Sequence, residues 1–168
     1  MKRTTGTGIT MPNTGQTITF DDTPDDEPAG YRQVNYGAPE TYAGPYYERE
    51  EAGQGQVGFR VKARHLNHAG LCHGGIIATF CDLQVRPIKA KLGLVEFSPT
   101  VTISVDFVES GREGDWIWMA PTLVKQTRKL LFTQALVMAE DRVVARTNAI
   151  YRILHHNTGA REPAKATS

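Results

Sequence analysis

At 168 residues the chain fits one domain and is long enough to bury a substantial core. Its 19 basic and 18 acidic residues leave a net charge of +1. That balance excludes a global field drawing the chain to nucleic acid or anionic membrane, so any phosphate-bearing ligand must be held by a local cluster. Behind Lys2 and Arg3 no apolar run follows, so neither a signal peptide nor a transmembrane helix is supported and a soluble, cytoplasmic protein is expected.

Residues 1–29, rich in Thr, Gly, Pro and Asp, read as a disordered or loosely docked arm. The stretch 31–49 carries five tyrosines between Gly and Pro breakers, which suggests an irregular segment docking its rings against the domain. Val57, Phe59, Val61 and Ala63 then alternate with Gly58, Arg60, Lys62 and Arg64, the pattern of a half-buried strand. A helix is predicted from about residue 74 to Arg86, ended there by Pro87, with residues 88–99 as a return loop. Four strands follow: one over 101–107, one from Asp115 to Lys125, one from Leu130 to Ala139 and one from Arg142 to Leu154. Short links make consecutive strands antiparallel neighbours. One early strand, one helix and four later strands predict an α+β fold, an antiparallel sheet wrapped around a central helix. The tail 155–168 is polar and expected to fray.

The chemistry concentrates in residues 65–86, HLNHAGLCHGGIIATFCDLQVR. At about 100° per residue the helix is apolar almost all round, apart from a stripe of Thr79, Asp82 and Arg86. Asp82 is thus a carboxylate on a core helix, with an ion pair to Arg86 as the structural alternative to a reacting role. Gly74 and Gly75 sit where the first unpaired helix N–H groups point outward, at the positive end of the helix dipole, which suits a developing oxyanion. Cys72 and Cys81 are nine residues apart across the helix start, too far for a disulfide, and read as reduced thiols. His65, His68, Cys72 and His73 bear metal-ligand groups at spacings that match no standard zinc pattern.

The set Asn-x5-His-Gly-Gly, followed by an Asp nine residues after the His, resembles the signature of hotdog-fold acyl-CoA thioesterases of the phenylacetate-pathway (PaaI-like) type. The likeness takes in GPYYERE at 44–50, GFRV at 58–61, TVTISVDF at 100–107, GDW at 114–116 and DRVVARTNAIYRIL at 141–154. It implies a hotdog domain over residues 44–154, preceded by an arm over 1–43 and followed by the tail. It also implies hydrolysis of an acyl-CoA thioester, without metal or cofactor, at a site shared across a homodimer or a dimer of dimers. Carried over residue by residue, Asp82 is the general base or nucleophile and Gly74 the oxyanion donor. Asn67 and His73 orient water or substrate, or else brace the turn. Thr100 falls where a hydroxyl positions the attacking water. Gly75 lies against the substrate, and Arg128 and Lys129 form the best local basic pair for coenzyme A phosphates. Gln84, in an otherwise apolar sector, is expected to alter the acyl end of the pocket.

Two other readings stay open at this level. A hotdog domain of this kind can bind acyl-CoA without turning it over. His68 and Asp82 also show a spacing similar to that of hotdog acyl dehydratases, although the Pro-rich His-Phe-x-Gly and Pro-Gly elements of that family are missing.

Overall fold

The computed structural model of the protein describes residues 8–10, 17–19, 26–34 and 42–154. The expectations for the tail and for the rest of the arm lie outside these residues. Gly8–Thr10 (β1) and Thr17–Thr19 (β2) pair antiparallel in a ladder of their own. The main sheet is built from Arg32–Val34 (β3), Tyr46–Glu51 (β4), Gln54–Arg60 (β5), Thr100–Phe107 (β6), Trp116–Met119 (β7), Thr122–Gln126 (β8), Leu130–Ala139 (β9) and Arg142–Arg152 (β10). Its order is β3-β4-β5-β7-β9-β10-β6, with β8 also paired to β9, and every pairing is antiparallel.

Gly74–Asp82 (α1) packs Ile77, Phe80 and Cys81 onto the sheet, beside Val57, Phe59, Ile117, Met119 and Val137. Phe80 stacks against Tyr46 and Phe59 with ring centroids 5.8 and 4.9 Å away. Each such side chain, fully withdrawn from water, contributes about 1.5–3 kcal/mol. The sheet wrapped round a helix is therefore the hotdog fold expected from the sequence.

Four local expectations are corrected. The described residues of the segment 31–49 are more regular than expected, contributing β3 and the first four residues of β4; of its rings Tyr31, Tyr46 and Tyr47 are buried, while Tyr42 is exposed. The predicted helix breaks at Leu83–Gln84 and resumes as Val85–Leu92 (α2), running past Pro87 until Gly93 closes it at φ +65°. Pro87 falls in the first turn of α2, where an N–H has no partner to lose, so it does not end the helix. It also rests directly on β5, since a Cβ at Gly55 would meet the Pro87 Cβ at 2.6 Å.

The predicted strand 115–125 is two strands, β7 and β8, that follow one another along β9 on either side of Ala120–Pro121. Finally, β6 and β7 are not neighbours, because β6 lies at the edge beside β10 while β7 lies between β5 and β9. The eight residues linking them, 108–115, reach about 26 Å, more than the roughly 14 Å of three strand spacings. Their backbone is bonded on the way across, Val108 N–H to Val144 O at 2.9 Å, Cys72 N–H to Gly111 O at 2.8 Å and Val61 N–H to Asp115 O at 2.9 Å.

Candidate active site

The loop before α1 is closed by its own polar groups. Asn67 Oδ1 accepts from the N–H groups of Ala69 and Leu71 at 2.9 and 3.2 Å, and the Asn67 N–H donates to Leu71 O at 2.8 Å. The carbonyl half of the Asn67 side chain thus braces the turn, leaving the amide N–H₂ as the half that can donate elsewhere. His73 is the N-cap of α1: its Nδ1 accepts from Gly75 N–H at 2.8 Å, so the ring proton sits on Nε2. A Cβ on Gly75 would lie 3.0 Å from that Nδ1, which accounts for the second glycine. Among the described residues no acceptor meets the N–H of Gly74, which is left as the open donor at the positive end of the helix.

At the other end of α1, Asp82 is half-buried. Its Oδ1 accepts from Thr100 Oγ1 at 2.8 Å, and its main-chain carbonyl accepts from the buried Tyr151 hydroxyl, also at 2.8 Å. Thr100 and Tyr151 are register partners between β6 and β10, so one sheet position holds both the side chain and the backbone of the carboxylate residue. The ion pair of Asp82 with Arg86 is not formed; Arg86 Nε bonds Glu48 Oε1 at 3.2 Å instead. Burial, then the nearby Asp82, pushes the Tyr151 phenol far above its ordinary pKa, so it stays a proton donor.

The remaining expected positions divide in two. Arg128 and Lys129 occupy the exposed β8–β9 turn, braced by Thr127 Oγ1, which accepts from Leu130 N–H at 3.0 Å. Ile153 N–H to Lys129 O and Arg152 N–H to Pro99 O tie this turn to the end of the sheet where Thr100 lies. Gln84, by contrast, does not reach a pocket. It is fully buried, donating to Cys81 O at 3.0 Å and to Thr147 Oγ1 at 3.2 Å while accepting from Thr133 Oγ1 at 2.7 Å.

Tyr151 and the Gln84 network are what sequence reasoning missed. A tyrosine on the inward face of the last strand was the available signal, but its partner is 69 positions away. Cys72 and Cys81 are free and buried, and burial raises their thiol pKa values to about 11 and about 12. No group of three or more metal-ligating side chains occurs among the described residues. No helix among them is long and apolar enough to cross a membrane.

Residues 69–146 match the thioesterase superfamily. A Pseudomonas aeruginosa protein assigned to the esterases is 28% identical over 113 residues, 66% of this chain and 84% of its own length. Among solved structures, a Streptococcus pneumoniae protein described as a thioesterase and solved with coenzyme A superposes with a TM-score of 0.58 at 23% identity, over 64% of this chain and 87% of its own. The phenylacetic acid degradation protein PaaI of Thermus thermophilus gives 0.60 at 20% identity, over 68% and 97%. A Streptococcus mutans protein bound to acetyl-CoA gives 0.57 at 20% identity, over 80% and 95%. At these identities the solved structures speak for the fold.

Proposed function

We propose that this hotdog-fold thioester hydrolase, a member of the thioesterase superfamily through residues 69–146, cleaves acyl-CoA thioesters at a site shared between two copies of the chain. The observation that carries the reading is the Thr100–Asp82 hydrogen bond on a half-buried carboxylate, at the opposite end of the helix from the open Gly74 N–H. Gly74 and Asp82 are eight residues apart, about 12 Å along the axis. A base and an oxyanion donor acting on one carbonyl need reacting atoms within about 3–3.5 Å. One chain therefore supplies one half of each reaction centre. The edge strand β6, with Val101 and Phe107 exposed, is a suitable seam for a second copy.

In the mechanism the thioester carbonyl oxygen points at Gly74 N–H of one protomer, with the Asn67 amide within reach. Asp82 of the other protomer takes a proton from water as the water attacks the carbonyl carbon. Thr100, whose hydroxyl hydrogen-bonds to Asp82 Oδ1 and keeps its proton, has lone pairs that accept from the water and fix its approach. The tetrahedral oxyanion collapses with cleavage of the C–S bond, and coenzyme A leaves as its thiolate to be reprotonated. Arg128 and Lys129 hold the phosphates of the coenzyme.

The test is thiol release from short-chain, long-chain and aryl acyl-CoAs by wild type, Asp82→Ala and Asp82→Asn. Loss of a general base is expected to cost about 100-fold or more in both variants. Turnover that survives both substitutions overturns the assignment of Asp82. Tight acyl-CoA binding with no wild-type turnover returns the binding-module reading.

A further inference from the structure

Between the turn end of the β4–β5 hairpin and α2 lies a cavity of about 520 Å³ that the proposed chemistry does not use. Small-molecule sites span roughly 300–1,000 Å³. Its lining carries five cationic side chains, Arg32, Arg49, Arg86, Lys89 and Lys91, against the two carboxylates Glu48 and Glu50. Two of the cations are bonded to acids, Arg49 to Glu51 at 2.9 Å and Arg86 to Glu48 at 3.2 Å. With those pairs set aside, Arg32, Lys89 and Lys91 remain among the described residues, against the one lining carboxylate Glu50.

Lys89 donates to the main-chain carbonyl of Glu96, a neutral acceptor that leaves its charge in place. Partial burial and then the nearby Arg86 guanidinium lower the Lys89 pKa, with Glu96 acting the other way. The chain as a whole carries +1, so this excess is local. Gly30 and Gly53 contribute to the wall with open space where a side chain would stand, which lets a ligand come near the backbone.

We infer that this cavity binds a phosphate-bearing small molecule, with the Arg32 guanidinium and the Lys89 and Lys91 ammonium groups meeting its oxygens. The same chemistry is offered by the nucleotide end of a coenzyme A thioester and by a free nucleotide or phosphate. The inference stands on the lining alone and does not need the chain to turn over acyl-CoA.

The experiment is calorimetric titration of the full chain with coenzyme A, ADP and inorganic phosphate at low salt, comparing wild type with the double substitution Arg32→Ala and Lys91→Ala. Both side chains are exposed, so the fold should survive, which a thermal melt checks. ADP affinity is expected to fall about tenfold or more in the double variant, as loss of two charge-assisted contacts requires. If coenzyme A affinity falls with it, and KM for acyl-CoA rises, the cavity takes the substrate's nucleotide end in place of Arg128 and Lys129. If ADP affinity falls while coenzyme A affinity and KM hold, it takes a separate ligand. The inference is overturned if no ligand loses affinity in the double variant, including the case in which none binds the wild type.

Discussion

The two ends of α1 hold the two groups proposed to react, and they do so in opposite ways. At the N-terminal end the group is a backbone N–H, and Asn67 and His73 spend their polar atoms shaping the turn around it. At the C-terminal end the group is a side chain, and its supports, Thr100 and Tyr151, come from strands 18 and 69 positions further along. The first arrangement tolerates side-chain change as long as the backbone keeps its shape and its hydrogen. The second depends on particular side chains and on the register of two distant strands.

Gly74→Pro breaks the first arrangement at its one necessary atom. The residue is the first of α1, where proline is accepted, and His73 already has the extended ψ of 133° that a following proline prefers. The chain should fold, yet turnover should drop about 100- to 1,000-fold, the worth of one oxyanion donor. Gly74→Ala, which keeps the N–H but sets a Cβ 3.3 Å from the Phe107 ring, should be far milder. Steady-state kinetics on folded protein decides between them. Mixing the Gly74→Pro and Asp82→Asn chains sharpens the comparison further. If each centre draws one end of the helix from each copy, random heterodimers restore about one quarter of wild-type turnover; a site contained in one chain restores none.

Thr100→Val removes the bond to Asp82 Oδ1 while keeping the strand. It should lower kcat about tenfold, the lower end for a hydrogen bond to a charged group, with KM little changed. Tyr151→Phe removes the donor from the part-buried Asp82 carbonyl and should cost about 1–3 kcal/mol of stability in denaturant melts, with a smaller effect on kcat than Thr100→Val. The buried thiols should leave stability unchanged at neutral pH and act only at high pH. Their folded pKa values are raised, so the folded state binds more protons than the unfolded one once the pH exceeds the usual thiol value of 9.0. Their contribution is complete below about pH 9 and declines as the pH rises toward 11 and 12, so stability should fall there. At neutral pH neither cysteine should react with a thiol reagent until the protein is unfolded.

Local patterns carried the N-terminal half of the site. His73, the glycine pair and the apolar run after them lie within one turn of each other, so capping and the open donor follow from spacing alone. Alternation also located β9 to the residue and β10 within two. Thr100 was singled out through likeness to a family, and its bond to Asp82 was not foreseen, since a threonine opening a strand says nothing by itself about which carboxylate it meets.

What the sequence alone determined is the set of local structures whose causes lie within a few residues: the capped and nearly all-apolar helix, the alternating strands, and the absence of a disulfide between two thiols set apart by the start of a helix. The tertiary structure decided what depends on distant segments meeting. The long link over 108–115 put β6 beside β10 rather than β7, and only that order brings Thr100 and Tyr151 into register under Asp82. Gln84 followed the same rule, because a buried amide is costly alone and harmless once Thr133 and Thr147 come round to bond it. Pro87 likewise ended no helix once the break at Gln84 had placed it in a first turn, a position that no residue near it in the chain could announce.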